Sequence, residues 1–462
     1  MIGETTSDGA GSDTTAFLSR YVANFSFDTL DEAALRIAKH CLLDWFGVTL
    51  AARHEPIAAL LVADADDAGG REQATLVGQG RRVSLRYAAL INGAAAHVLD
   101  YDDVSFDMQG HPSAPVAPVA VALAEYLRLP GRALIECFAA GFEAACRVGV
   151  LMGSSHYRHG WHTTATFGVF GAAAAAARCL GLDEARTAQA FGIAGCHAAG
   201  LKSAFGTMAK SLQVGHAAAD GLWAARLAER GVTAPTDIFD VAQGFAATQS
   251  ISIDRDAARA EPPGGFYLRR NMFKYHSACY LTHSSIEAVR ELHRKYPIDP
   301  AQIAAVEIVV DQDHLSVCNI EAPVTGLEMK FSLRAMVALA LLKRDTAGEA
   351  SFTAQSARDP MLVAMRDKIR VTARPSWGSS ESDVILCMAD GRMLSGRYDV
   401  GVPAIDLAHQ ETRLLAKFHS LASPVIGEGG AAELAGLCLD LEHVVDVSEL
   451  ARLAAAREVA HV

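Results

Sequence analysis

The sequence lacks paired cysteine motifs, is poor in proline and has no long apolar run, and each shortage removes a class of protein. Its nine cysteines, at positions 41, 137, 146, 179, 196, 279, 318, 387 and 438, form no CxxC pair and are odd in number. They read as reduced thiols acting as small apolar packers in a cytoplasmic protein, not as a disulfide framework. No His/Cys spacing suits zinc. The longest apolar stretch, Ala165–Ala177, is interrupted by Thr166 and two glycines and stops at Arg178, too short to span a bilayer. Residues Met1–Thr6 carry neither a basic segment nor an apolar one, so they read as a short disordered lead-in and not as a signal peptide. Positive charge is scarce as well: 41 Lys and Arg stand against 53 Asp and Glu, a net charge of -12. That balance argues against nucleic acid or an anionic membrane as partner. It leaves room for a small anion held by a local cluster of Lys and His.

What is present is apolar material in quantity. Hydrophobic residues make up 51% of 462, enough for two domains. Ala-rich stretches such as Ala172–Ala177 favour helix. From Leu30 to Leu50 the residues Leu30, Ala34, Ile37, Ala38, Leu42 and Phe46 recur at helical spacing, with Arg36, Lys39 and Asp44 between them. Similar patterns cover Ser84–Leu99, Ala114–Leu127, Leu134–Gly149, Thr163–Leu180, Ala185–Ala199, Leu212–Glu229 and Ser277–Lys295. Breakers separate them, among them Pro130-Gly131 and Gly181-Leu182-Asp183, where Asp183 is placed to cap the next helix.

The character changes after Pro262-Pro263-Gly264-Gly265. Ala304–Val310 alternates as a strand, Lys368–Thr372 is a second candidate, and Val384–Met388 and Met393–Tyr398 flank an Asp390-Gly391 turn. Helical patterns at Phe331–Leu342 and Pro360–Lys368 lie between these strands, and helix resumes after Pro403. The expected fold is mainly α: a large all-helical domain from both chain ends, residues 15–265 and 405–462, with a smaller α+β domain at 266–404.

Three stretches place polar groups and glycines in apolar surroundings. His97-Val98-Leu99-Asp100-Tyr101-Asp102-Asp103 ends a small-residue helix and is followed by Gly110-His111-Pro112-Ser113. Three carboxylates at a helix C-terminus oppose its dipole and each other, so a function, a metal or basic neighbours must account for them unless they form a solvated acidic turn. Gly160-Trp161-His162-Thr163-Thr164 sets a histidine before a Gly/Ala-rich helix, a place where anions and capping hydroxyls are favoured; a packed histidine is the plainer explanation. Gly206-Thr207-Met208-Ala209-Lys210, with Lys202 upstream, is by itself only a surface lysine before a helix.

Together, Asp100-Tyr101-Asp102-Asp103, Gly110-His111-Pro112-Ser113, Gly160-Trp161-His162, Lys210 and Phe273-Lys274-Tyr275-His276 resemble, in order and spacing, the signature segments of the MmgE/PrpD family. The resemblance covers roughly residues 30 to 340. That family includes 2-methylcitrate dehydratase, cis-aconitate decarboxylase and iminodisuccinate epimerase. It implies a helical domain built from both chain ends, a smaller α+β domain, a site between them, and a homodimer. By resemblance, Asp100, His111, His162 and Lys210 are the catalytic positions, and Lys274, Cys279, Lys202 and Asp103 bind substrate. Val104 and Cys279 stand where the decarboxylase branch has a threonine and a histidine, and a tyrosine of that branch has no counterpart near Val317-Cys318. The wording around Met108-Gln109 and Phe205-Gly206-Thr207-Met208, with Lys202, is closer to the epimerase-like branch.

The shared chemistry accounts for the residue types. Dehydration, β-decarboxylation and epimerisation all make or quench a carbanion-like centre beside a carboxylate. A base near neutral pKa moves the proton, and cations hold the carboxylates and the developing enediolate. No cofactor or metal is required, so activity should survive chelation. The expectation is a lyase on a small di- or tricarboxylic acid. An epimerase of an iminodisuccinate-like dicarboxylate and a non-catalytic small-anion-binding protein are the alternatives. Metal-dependent ionisation through Asp100, Asp102 and Asp103 is a further one, but no second acidic motif or phosphate loop follows.

Overall fold

The computed structural model describes residues 13–375, 378 and 380–455; the N-terminal lead-in lies outside them. The protein is mainly α-helical with a small α+β region. Its contacts divide it into two compact units. The larger holds the described residues up to Val98, Asp102–Asn271 and the chain from Leu407 onward; the smaller holds Leu99–Tyr101 and Met272–Asp406.

In the larger unit, the helix Glu32–Ala51 starts where Asp31 accepts a hydrogen bond from the Ala34 N–H at 2.8 Å, as an N-cap carboxylate should. The long C-terminal helix Leu407–Leu439 packs along it. Between the two lies a buried ion pair, Lys417 Nζ to Asp44 Oδ1 at 2.6 Å. Asp183 caps Glu184–Gly195 as its position predicts, accepting from the Arg186 N–H. The helices Leu85–Val98 and Ala209–Glu229 cross at small residues. A Cβ on Gly93 would lie 3.2 Å from the Gly215 Cα, and one on Gly215 would lie 2.3 Å from the Leu90 carbonyl oxygen. Backbone meets backbone there.

Three details differ from the periodicity. The region read as one helix over Thr163–Leu180 is two, Thr163–Thr166 and Gly168–Cys179, with Phe167 at the junction. Helices Thr14–Ala23 and Pro56–Ala68 appear where no pattern was singled out. The region read as all-helical also contains a small antiparallel hairpin, Ala74–Leu76 with Arg81–Val83. Strands of three residues are too short for alternation to show, and this hairpin is pinned by a side chain: Glu125 accepts from both the N–H and the hydroxyl of Thr75 at 2.8 Å.

The smaller unit is built on a four-stranded sheet in the order Ile369–Arg374, Ile303–Asp311, Glu381–Met388, Met393–Asp399. The first pair is parallel and the other two are antiparallel. Val306, Ile308 and Val310 turn inward with Val384 and Leu386 into a core shared with the helices His283–Lys295 and Leu333–Leu341. The Asp390-Gly391 hairpin forms as its sequence predicts: Gly391 takes φ 88° and Asp390 accepts from the Arg392 N–H. The helix expected from Ser277 begins instead at His283, after a 3₁₀ turn at Tyr280–Thr282. No single described helix is long and apolar enough to cross a membrane. One bent pair, Glu32–His54 with Pro56–Ala68, passes that test on length and composition together, and its first member is largely buried.

Candidate active site

Helix Leu85–Val98 is buried on nearly every side and delivers His97, 1% exposed, at its end. The chain then turns sharply: Asp100 takes a left-handed conformation, φ 52°, which Asp tolerates better than most residues. The three carboxylates that oppose the helix dipole prove not to be a solvated turn. Each has its own partner. Lys274 Nζ donates to the Asp100 carbonyl at 2.6 Å and pairs with its carboxylate at 3.1 Å, within the smaller unit. Asp102 Oδ2 lies 2.7 Å from Nδ1 of His97 and 3.4 Å from Nδ1 of His111. Asp103 accepts from the Ser113 hydroxyl at 2.5 Å, the Ser113 N–H at 3.2 Å and the Asn271 amide at 2.9 Å. Burial pushes the Asp103 carboxyl up to about 7, against the Ser113 hydrogen bond that lowers it.

His111 and His162 each pack against His97. The His97 and His111 ring centres are 4.9 Å apart and edge-on; those of His97 and His162 are 5.4 Å apart. His111 Nδ1 is 2.7 Å from the carbonyl oxygen of Asp103. A carbonyl only accepts, so Nδ1 carries the proton and Nε2 is the basic nitrogen in the neutral ring. His111 is the most accessible of the three, with 16% of its side chain exposed. His162 stands before the short helix Thr163–Thr166, and its N–H donates to the Gly200 carbonyl at 3.0 Å. Phe205 sets its ring edge-on to His162 at 5.0 Å, and Lys210 Nζ lies 5.5 Å from the Phe205 ring centre. Lys210 sits in the first turn of Ala209–Glu229, where its charge opposes the helix dipole.

The remaining predicted residues have these surroundings. Lys202 lies 3.6 Å from the Tyr157 ring centre and donates to the Tyr157 carbonyl. Cys279 is buried in the smaller unit, its thiol held below the usual range by the neighbouring Cys318 thiol, which is itself pushed up. Val104 is buried in the larger unit.

Three members of the cluster were not assigned roles in it from the sequence: Asp102, read only as a possible metal ligand, His97 and Gln213. His97 closes a Gly/Ala helix and looks like a packed core residue; its five-residue separation from Asp102 was the available signal. Gln213, one turn beyond Lys210, had none: its Nε2 lies 2.6 Å from His162 Nδ1. His97, Asp102 and His111 also present possible metal-ligand atoms within 4.8 Å of one another, a grouping that sequence spacing did not reveal. The 2.7 Å contact of His97 with Asp102 has the length of a hydrogen bond. Two ligands of one tetrahedral zinc stand roughly 3.3 Å apart, so a metal would require this pair to separate.

Buried imidazoles sharing a carboxylate, with a lysine nearby, on a helical frame, are the equipment of an enzyme that moves protons. A profile of the MmgE/PrpD N-terminal domain matches residues 16–256, and one of the MmgE/PrpD C-terminal domain matches residues 276–442. The chain belongs to the MmgE/PrpD family and is an enzyme of that type. It is 24% identical to a cis-aconitate decarboxylase of Aspergillus terreus over 98% of both chains. It is 27% identical to a cis-aconitate decarboxylase of Mus musculus over 80% of this chain and 79% of that protein. Over 61% of its length it is 29% identical to a cis-aconitate decarboxylase-like protein of Aspergillus oryzae, covering 62% of that relative.

Proposed function

We propose that the protein is a lyase that transfers a proton beside a carboxylate of a small di- or tricarboxylic acid, with side chains alone doing the chemistry. The observation that carries this reading is the cluster of three imidazoles, with His111 and His162 each packed against His97 and Asp102 against two of the three. Such a group supplies a proton carrier of near-neutral pKa beside a second hydrogen-bonding ring, as carbanion chemistry next to a carboxylate demands. His111 takes or delivers the proton at Nε2, and the Asp102 carboxylate stabilises its charged form. Lys210 offers a positive charge for a substrate carboxylate. The names of the relatives favour decarboxylation of a polycarboxylate related to cis-aconitate.

An epimerase is the second reading. It is favoured by the segments around Met108-Gln109 and Phe205–Met208, with Lys202, which resemble the epimerase-like branch, while Val104 and Cys279 replace a threonine and a histidine of the decarboxylase branch. One experiment separates the possibilities. Pure protein is incubated in D₂O with a panel of polycarboxylates, and deuterium incorporation and product composition are followed by NMR. Loss of CO₂ with deuterium at the carbon beside a carboxylate, or loss of water with departure of the proton there, supports the lyase. A product that retains every heavy atom supports the epimerase. Binding without exchange across the panel overturns both and leaves an anion-binding protein.

A further inference from the structure

The two histidines packed against His97 are set in opposite hydrogen-bond surroundings. At His111, Nδ1 faces two oxygens, the Asp103 carbonyl at 2.7 Å and the Asp102 carboxylate at 3.4 Å. Both accept, so Nδ1 keeps its proton whether the ring is neutral or charged, and the carboxylate welcomes the charge. At His162, Nδ1 faces the side-chain nitrogen of Gln213 at 2.6 Å.

The orientation of that amide follows from its other contacts. Gln213 Oε1 lies 3.0 Å from the Leu201 backbone nitrogen, which can only donate, and Nε2 lies 3.3 Å from the Leu201 carbonyl, which can only accept. Exchanging the amide's nitrogen and oxygen would set donor against donor and acceptor against acceptor. Gln213 therefore presents an N–H to His162, and His162 Nδ1 must accept it. The neutral ring then carries its proton on Nε2. A charged ring would need a second proton on Nδ1, directly against the amide donor. The strand-like pairing of Trp161 with Leu201, together with the hydrogen bonds from His162 N–H to Gly200 and from Lys202 N–H to Gly160, holds the two segments in place. His97, with Asp102 on its Nδ1, meets His162 ring to ring, and Lys210 lies across Phe205.

We propose that Gln213 is a positioning residue that holds His162 as a neutral imidazole with its proton on Nε2, so that His162 serves as a hydrogen-bond donor to the substrate while proton transfer falls to His111. This rests on the reading of the cluster as an acid–base site and divides the labour within it. A neutral donor aimed at a substrate carboxylate stabilises the enediolate without losing its own proton.

The tautomer is measurable without substrate, so this inference can fail separately from the lyase assignment. In protein labelled with ¹⁵N-histidine, the His162 signals are assigned by their absence from His162→Gln and followed from pH 6 to 8. The expected spectrum shows an unprotonated Nδ1 and a protonated Nε2 throughout. Gln213→Glu, which replaces the donor with an acceptor, should move the proton to Nδ1 and bring a charged form of His162 into the same pH range. It should also displace the acidic limb of the pH–rate profile. Gln213→Met, which removes the donor while keeping the bulk, should give a mixture of tautomers. A His162 already protonated on Nδ1 in the unaltered protein would overturn the proposal. So would a Gln213→Glu spectrum identical to the parent's, since a merely structural glutamine would leave the ring unchanged.

Discussion

Two places in this molecule set one imidazole edge-on to another in almost the same way. His97 and His111 have ring centres 4.9 Å apart at 66°, and His276 and His283, in the smaller unit, 4.9 Å apart at 67°. Their surroundings are what distinguish them. His276 has both nitrogens engaged in the interior, one with Thr346 at 2.7 Å and one with Glu287 at 2.8 Å, and His283 bonds to the Ala278 carbonyl. Neither ring reaches solvent appreciably. Burial holds His283 well below the usual histidine range, which suits a neutral packing element. In the first pair the carboxylate is shared with a second histidine, and that histidine reaches the surface. Contact between imidazoles is therefore common to both places, and access at one end is what sets the first apart.

The comparison breaks first at turnover. Replacing His111 by Ala should cost on the order of 10²–10⁴ in kcat with little change in the urea midpoint, whereas His162→Ala should lower turnover and, because the ring is buried, the midpoint as well. His276→Ala should do the reverse of His111→Ala. It leaves Glu287 buried without its partner, a loss of about 3–5 kcal/mol in unfolding free energy. A His276→Ala protein that unfolds normally but has lost its activity would erase the distinction.

Several helix starts and the hairpin turn were legible because one residue carries each of them: Asp31 and Asp183 as caps, Gly391 with its left-handed φ. His111, His162 and Lys210 were legible only as parts of an ordered set of motifs, since each taken singly has an ordinary structural explanation. Asp102 could not be separated from its acidic neighbours, because which carboxylate faces which histidine depends on the turn at Asp100. Gln213 was invisible: an amide on a helix means nothing until Leu201 is seen to fix which way round it lies. The hairpin at Ala74–Val83 depends on Glu125, far away in the sequence, and no local pattern announces it.

A second difference between buried groups should appear in the pH dependence of stability. Asp103 and Glu143 are both pushed up to about 7 by burial, so the folded protein binds protons that the unfolded chain has released. Their stabilising contribution is complete below about pH 4, the ordinary carboxyl range, and is lost as pH rises through about 7. His156 is pushed down to about 4 by burial. Its contribution is present above about pH 6.5 and is lost as pH falls through about 4. Thermal unfolding of Asp103→Asn should show a shallower decline between pH 5 and 7 than the parent, with part of the slope retained through Glu143. An unchanged slope would mean that Asp103 is ionised in the folded protein.

The smallest effect is expected at Cys279. If this thiol only fills space beside Cys318, Cys279→Ser should change kcat/KM by no more than about tenfold, about 1.4 kcal/mol of transition-state stabilisation. A loss as deep as that of the histidine variants would make the thiol a proton carrier in its own right.

The crossing of Leu85–Val98 and Ala209–Glu229 at Gly93 and Gly215 has a consequence for redesign. One helix ends in His97 and the other carries Lys210 and Gln213 in its first turns, so the gauge of the cluster is set by hydrogen atoms standing where side chains would otherwise begin. A methyl group at Gly215 would come within 2.3 Å of the Leu90 carbonyl oxygen and would wedge the helices apart by about an ångström in a close-packed interior. Displacements of that size, made far from the reacting atoms, are enough to cost on the order of 10²-fold in rate. An engineer can therefore exchange the side chains that meet the substrate with some liberty, but must leave this bare crossing as it is.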